Sequence, residues 1–189
     1  LPSGDYLYVA NSQDNNVSVI RTSDNSVVTS INTGDSPIGI CTHPSGDYIY
    51  VTNMLDHNVS VIRTSDYSVV DTISVGHSPR SICSLPSGDY LYVANARDNN
   101  VSVIQTSDNS VIATISAGEQ PVSIYSLPSG SYVYTANWLG NSVSVIRTSD
   151  NSLVATIDIG SVASSICSVP SGDYVYVTNW AYNSVSVLN

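Results

Sequence analysis

Pro-Ser-Gly stands at residues 2, 44, 86, 128 and 170, always 42 positions apart, so the chain is about four and a half copies of one unit. An internal period of that length restricts the fold to stacked or radial repeat architectures, in which no single unit buries its own apolar surface. Within residues 36–76 the unit reads as four short strands. Ser36 to Thr42 is the first, and Tyr48 to Thr52 follows the turn Pro44-Ser45-Gly46-Asp47. Val59 to Thr64 is the third, and Ser68 to Ser74 is the fourth, ending at Gly76. Val, Ile, Tyr and Thr in runs of five to seven, separated by Gly, Pro, Asn, Asp and Ser, specify strands and turns, and helical periodicity is absent.

Alternation sharpens the reading. In the second strand Tyr6, Tyr8 and Ala10 point one way while Leu7 and Val9 point the other. Side chains alternate across a strand, so both faces of this sheet are apolar. A sheet covered on both faces must be stacked between two others, as blades are around a propeller axis. The expected fold is therefore an all-β propeller of four-stranded antiparallel blades. Its divisions are a partial blade at 1–34, whole blades at 35–76, 77–118 and 119–160, and a partial blade at 161–189. That supplies eighteen strands, too few for a five-bladed or a seven-bladed ring, so the expectation is an open arc of a larger propeller. A two-chain assembly through its open terminal blades is the alternative.

Composition removes several functions. Fifteen acidic residues face five Arg and no Lys, for a net charge of −10, which disfavours nucleic acid and anionic lipid as partners. No apolar run is long enough to span a membrane as a helix. Cys41, Cys83 and Cys167 occupy one position of the repeat and read as small buried thiols rather than a disulfide framework or a metal-binding pair. The Tyr-x-Tyr pairs of the second strands read as packing between blades.

At this point the residues resemble a known family. Tyr50-Val51-Thr52-Asn53 and Tyr176-Val177-Thr178-Asn179, with Tyr-Val-Ala-Asn at 8–11 and 92–95 and Tyr-Thr-Ala-Asn at 134–137, precede Asn-x-Val-Ser-Val strands. This is similar to the YVTN β-propeller repeat of archaeal and bacterial surface-layer and other cell-surface proteins. The resemblance implies seven-bladed propellers outside the cell, usually without known catalysis. Arg21, Arg63 and Arg147 depart from it where the family commonly carries Asp.

The repeats differ most in the loops between second and third strands, which is the pattern of a recognition surface on a fixed scaffold. Trp138, Trp180 and Tyr182 are the candidate aromatic anchors for a partner, or caps over blade interfaces. Asp14, Asp56 and Asp98 offer single carboxylates per loop, as ligand contacts or as plain turn residues. His57 joins them as a binding candidate, although His43, His57 and His77 lack metal-site spacing and read as solvated. Asn16, Asn58 and Asn100 open Asn-Val-Ser sequons and are glycosylation candidates. Arg21, Arg63 and Arg147 are expected to pair with Asp24, Asp66 and Asp150 across tight turns. Nothing in the chain resembles a nucleophile elbow or a haem-attachment motif, so no catalytic residue, metal or cofactor is expected. The resulting expectation is a non-enzymatic, extracellular structural or adhesive scaffold that binds other cell-surface proteins or glycans. A lectin-like propeller is the alternative.

Overall fold

The computed structural model describes residues 3–189, leaving Leu1 and Pro2 outside; among the described residues are eighteen strands and no helix. The first sheet holds β1 (Tyr6–Asn11), β2 (Asn16–Arg21) and β3 (Val27–Asn32). The second holds β4 (Pro37–Thr42), β5 (Tyr48–Asn53), β6 (Asn58–Arg63) and β7 (Ser68–Ser74). The third holds β8 (Pro79–Ser84), β9 (Tyr90–Asn95), β10 (Asn100–Gln105) and β11 (Ser110–Ser116). The fourth holds β12 (Pro121–Ser126), β13 (Tyr132–Asn137), β14 (Ser142–Arg147) and β15 (Ser152–Asp158). The fifth holds β16 (Ala163–Ser168), β17 (Val175–Asn179) and β18 (Ser184–Leu188). Every sheet is an antiparallel meander in sequence order. The strands β4, β8, β12 and β16 pack against one another, whereas the outer strands β7, β11 and β15 scarcely meet. Inner strands that converge and outer strands that splay are blades around an axis, as the repeat predicts.

The third sheet shows why the blades must stack. Leu91, Tyr92, Val93 and Ala94 are consecutive residues of β9 and all are fully buried. Leu91 and Val93, with Ile104, pack onto Tyr50, Val59, Val61 and Ile73 of the second sheet. Tyr92 and Ala94, with Val101 and Val103, pack onto Ile124, Val133 and Ile146 of the fourth. Alternation thus feeds two interfaces from one strand, the condition a sandwich sheet never meets. On the first sheet the contrast is plain, with Val17 and Val19 buried while Leu7 is 56% exposed.

Turn chemistry matches the sequence. Asn25, Tyr67, Asn109 and Asn151 take positive φ between third and fourth strands, and Gly46 does so at φ 82° in the first-to-second turn. The Arg–Asp pairs form across the third-to-fourth turns at 3.2 Å, 2.7 Å and 3.1 Å for Arg21–Asp24, Arg63–Asp66 and Arg147–Asp150. All are exposed, so each contributes little to stability. The cysteines are less uniform than expected. Cys41 and Cys83 lie between inner strands, where burial pushes the Cys41 thiol up to about 12 and the Cys83 thiol well above its ordinary range. Cys167, at the matching position of the fifth sheet, is exposed.

The second tyrosine of each of the first two pairs is drawn into an interface, and burial pushes the hydroxyls of Tyr8 and Tyr50 up to about 12. The neutral phenol is the folded form, so this contribution is complete below the unfolded value of 10.0. It is lost as pH rises from there through about 12. Alkaline unfolding that tracks tyrosinate absorbance across that window is the expected result, and stability that stays flat there would contradict it.

Candidate functional site

One end of the propeller carries the turns between first and second strands and between third and fourth, tied by bonds such as Thr64 N–H to Asp47 C=O at 2.9 Å. The opposite end carries the loops between second and third strands together with the blade-to-blade loops. There Met54 N–H donates to Ser36 C=O at 2.9 Å, Ala96 N–H to Ser78 C=O at 3.0 Å and Trp138 N–H to Gln120 C=O at 2.8 Å. A second set of bonds crosses from blade to blade. Asn15 Oδ1 accepts the Ser36 N–H at 2.9 Å, and Asn99 Oδ1 accepts the Gln120 N–H at 2.8 Å. Both asparagines sit in the left-handed region, at φ 53° and 55°, which Asn tolerates better than most residues.

His57 replaces Asn at this position, with φ 58°, and its Nδ1 stands 3.2 Å from the Ser78 N and 3.0 Å from the Met54 carbonyl oxygen. His57→Ala should therefore cost about 1–3 kcal/mol, from the lost ring hydrogen bond and the strained backbone. His57→Asn, which copies the neighbouring repeats, should stay near the parent. Urea denaturation of both variants checks this, and equal losses would count against the staple.

The carboxylates of this end act locally. Asp56 Oδ2 accepts the Asp35 N–H, and Asp98 Oδ2 accepts the His77 N–H, each at 2.8 Å. Asp14 is exposed, and the bonds it makes there are through its backbone, its N–H donating to Asn11 C=O and its C=O accepting from the Asn16 side-chain amide. The sequon residues Asn16, Asn58 and Asn100 are half-buried, and their Oδ1 atoms accept from Asn11, Asn53 and Asn95.

The second-to-third blade junction differs from the others in chemistry. The His77 Nδ1 lies 3.0 Å from both Asp98 oxygens, and the His77 ring packs edge-on against His57 with centroids 4.6 Å apart. The His77 backbone N–H first, and then its ring, hold the Asp98 carboxyl below the usual carboxylate range. Arg97 N–H donates to His77 C=O at 3.2 Å. Arg80 is the extra residue of a β-bulge between Pro79 and Ser81, a feature that re-aims a side chain. Both arginines are exposed, and among the described residues neither has an ion-pair partner, whereas the other three arginines do. On a chain of net charge −10, two imidazoles meet at one junction whose segments also carry Arg80 and Arg97.

The histidines are thus not simply solvated. Of the residues singled out in the sequence, His57 and Asp98 meet here, while Trp138 and Trp180 meet two blades on, with ring centroids 5.5 Å apart. Tyr182 is 69% exposed in the same loop as Trp180. His77 was read as solvated, and neither Arg80 nor Arg97 was singled out as a site residue. Their signal was departure from the repeat: His77 aligns with Asp35, Glu119 and Ser161, and Arg80 with Ile38, Val122 and Ser164. Arg97 aligns with Gln13, Leu55, Leu139 and Ala181.

A family model described as "Lactonase, 7-bladed beta-propeller" matches residues 2–112. No curated protein matches the chain. Among solved structures it is similar to Kuenenia stuttgartiensis hydrazine synthase, with a TM-score of 0.88 and 24% identity over 94% of this chain. The chain spans about half, 53%, of that structure's length. It is also similar to a functionally unknown protein from Desulfotomaculum acetoxidans DSM 771, with a TM-score of 0.84 and 18% identity. That match covers 98% of this chain and 67% of the other. At these identities the two structures speak for the fold alone. The family match overturns the expectation of a non-catalytic adhesive scaffold, and with it the lectin-like alternative. The chain has no nucleophile elbow, and this junction carries a histidine–carboxylate pair.

Proposed function

This chain belongs to the lactonase family of seven-bladed β-propellers, and from that premise we propose that its His77 junction hydrolyses the ester bond of a lactone. The observation that carries the reading is the contact of His77 Nδ1 with Asp98. With Nδ1–H donated to the carboxylate, the imidazole keeps its Nε2 lone pair free as a general base. Nε2 takes a proton from water as the water oxygen bonds to the lactone carbonyl carbon. The carbonyl oxygen then carries negative charge, and Arg80 and Arg97, both exposed and without an ion-pair partner among the described residues, are the cations of these segments available to offset it. Collapse reforms the carbonyl and breaks the ring C–O bond. The alkoxide leaves with the proton held on His77, giving a hydroxy acid whose carboxyl ionises.

The test is a pH-stat assay of the purified chain against five- and six-membered lactones. Base uptake above the buffer rate supports the proposal, and none with any lactone overturns it. We further propose a cell-surface location, which is independent of the hydrolysis. It rests on the YVTN-like motifs at Tyr50 to Asn53 and Tyr176 to Asn179 and on the three sequons.

A further inference from the structure

A cleft of about 340 Å³ opens between the second and third sheets at the end that carries the turns, so it is opposite the His77 junction and independent of the hydrolysis. Both sheets are complete four-stranded blades. Tyr50 pairs with Val61, and Val61 pairs with Asp71, so the three form one cross-strand row, and all of them line the cleft. Tyr48 and Val70, the extra residue of a bulge in β7, complete this wall, and Asn109 enters from a turn of the third blade. The row departs from the repeat at Asp71, which aligns with Thr29, Ala113 and Ala155. That departure rewires the junction. Between the third and fourth blades, where Ala113 ends the row, the Tyr92 hydroxyl donates to Asn151 Oδ1 at 2.7 Å and ties the gap shut. Between the second and third, the equivalent Asn109 instead donates its Nδ2 to Asp71 Oδ2 at 2.8 Å. Tyr50, only 2% exposed, is left with a hydroxyl that has no hydrogen-bond partner among the described residues. Between the first and second, Tyr67 stands in the place of Asn109, and its ring packs edge-on against Tyr6 with centroids 6.5 Å apart.

We propose that this cleft binds the head of a primary alkylammonium cation. Three groups there keep unused acceptor capacity: the Asp71 carboxylate, the Asn109 Oδ1 left over when its amide nitrogen donates, and the Tyr50 hydroxyl oxygen. Asp71 has no cationic partner among the described residues, and the chain has no Lys to supply one. An ammonium group brings several N–H donors and one positive charge, which matches that set, and charge-assisted bonds of this kind are the strong ones. Val61, Val70 and the Tyr48 ring offer an apolar wall for a short alkyl stem. A metal ion fits less well, since one carboxylate falls far short of the roughly six to eight oxygens that Ca²⁺ takes. The net charge of −10 draws cations toward the surface in any case.

Calorimetric titration of n-butylammonium into the chain at physiological ionic strength, where attraction to the acidic surface is screened, tests this. A single saturable site is expected for the amine and none for n-butanol. Absence of saturable binding, or equal binding of the alcohol, would overturn the proposal. Asp71→Ala restores the residue of the next two repeats and frees Asn109 for Tyr50, so it should weaken binding by at least about tenfold. Asn109→Tyr, which copies Tyr67 of the first junction, should fill the cleft with the same result. Tyr50→Phe removes one acceptor and should weaken binding by about threefold. Asp173→Asn removes the same charge from an exposed turn of the fifth sheet and should bind as the parent does. Equal losses in Asp71→Ala and Asp173→Asn, or unchanged binding in folded Asp71→Ala or Asn109→Tyr, would overturn the site. Acetyl-lysine methylamide separates the two sources of such a group: binding tighter than that of n-butylammonium assigns a lysine side chain, weaker binding assigns a free amine, and both uphold the cleft.

Discussion

Replacing His77 by Asn should lower kcat for lactone hydrolysis by about 10²- to 10⁴-fold, the usual contribution of a positioned general base. Asn keeps the backbone N–H that Asp98 accepts at 2.8 Å, so the loop should hold its shape. What disappears is the Nε2 lone pair, and binding is left largely intact, so KM should move little. Asp98→Asn is the companion variant. It removes the negative acceptor that holds Nδ1–H, so it should lower kcat by misorienting the base, with a smaller loss than His77→Asn. A His77→Asn protein with unaltered kcat would remove the base from the mechanism.

The largest expected effect on stability falls on the doubly covered strands. Leu91→Ala should cost about 2–5 kcal/mol, because the side chain is fully buried and its neighbours are held by a rigid interface that cannot collapse into the space. Leu91 packs against Tyr50, Val59 and Val61 of the blade before it. Leu7→Ala, at the equivalent position of the first sheet but 56% exposed, should change stability by only about 0.5 kcal/mol. Urea unfolding of the two variants side by side gives the comparison. Similar costs at both sites would mean that the stacked faces do not hold the fold together.

These two predictions mark what could be read from the residues and what could not. Tyr-Leu-Tyr-Val-Ala-Asn at 90–95 is apolar on both faces, and that alone specified a strand covered on both sides. The 42-residue spacing then specified blades. The turn residues were equally legible, since Asn25, Asn109 and Asn151 adopt the positive φ that such residues favour. The site was legible only in part. Asp98 and His57 stood out as loop residues, but His77 lies in a different loop, and the bond between them spans 21 positions. Periodicity says which residues share a place in successive blades. It does not say which loop of one repeat leans on which loop of the next. Arg80 was hidden for another reason. It sits within an inner strand, and only the bulge between Pro79 and Ser81 takes it out of the regular alternation. Cys167 misled because its position is half-buried in the second and third blades but exposed in the fifth.

The scaffold is common to every blade, and the proposed hydrolysis is assigned to the one junction that departs from the repeat. The most direct test copies the neighbouring junction into this one. The triple variant His57→Asn, His77→Asp and Arg80→Ile reproduces the set of Asn15, Asp35 and Ile38 that the fold already accommodates one repeat earlier. Lactone turnover and thermal unfolding of this variant should be measured together. A protein that unfolds within a few degrees of the parent yet has lost turnover by at least about 10²-fold is the predicted result. Turnover that survives in the folded variant would contradict the account.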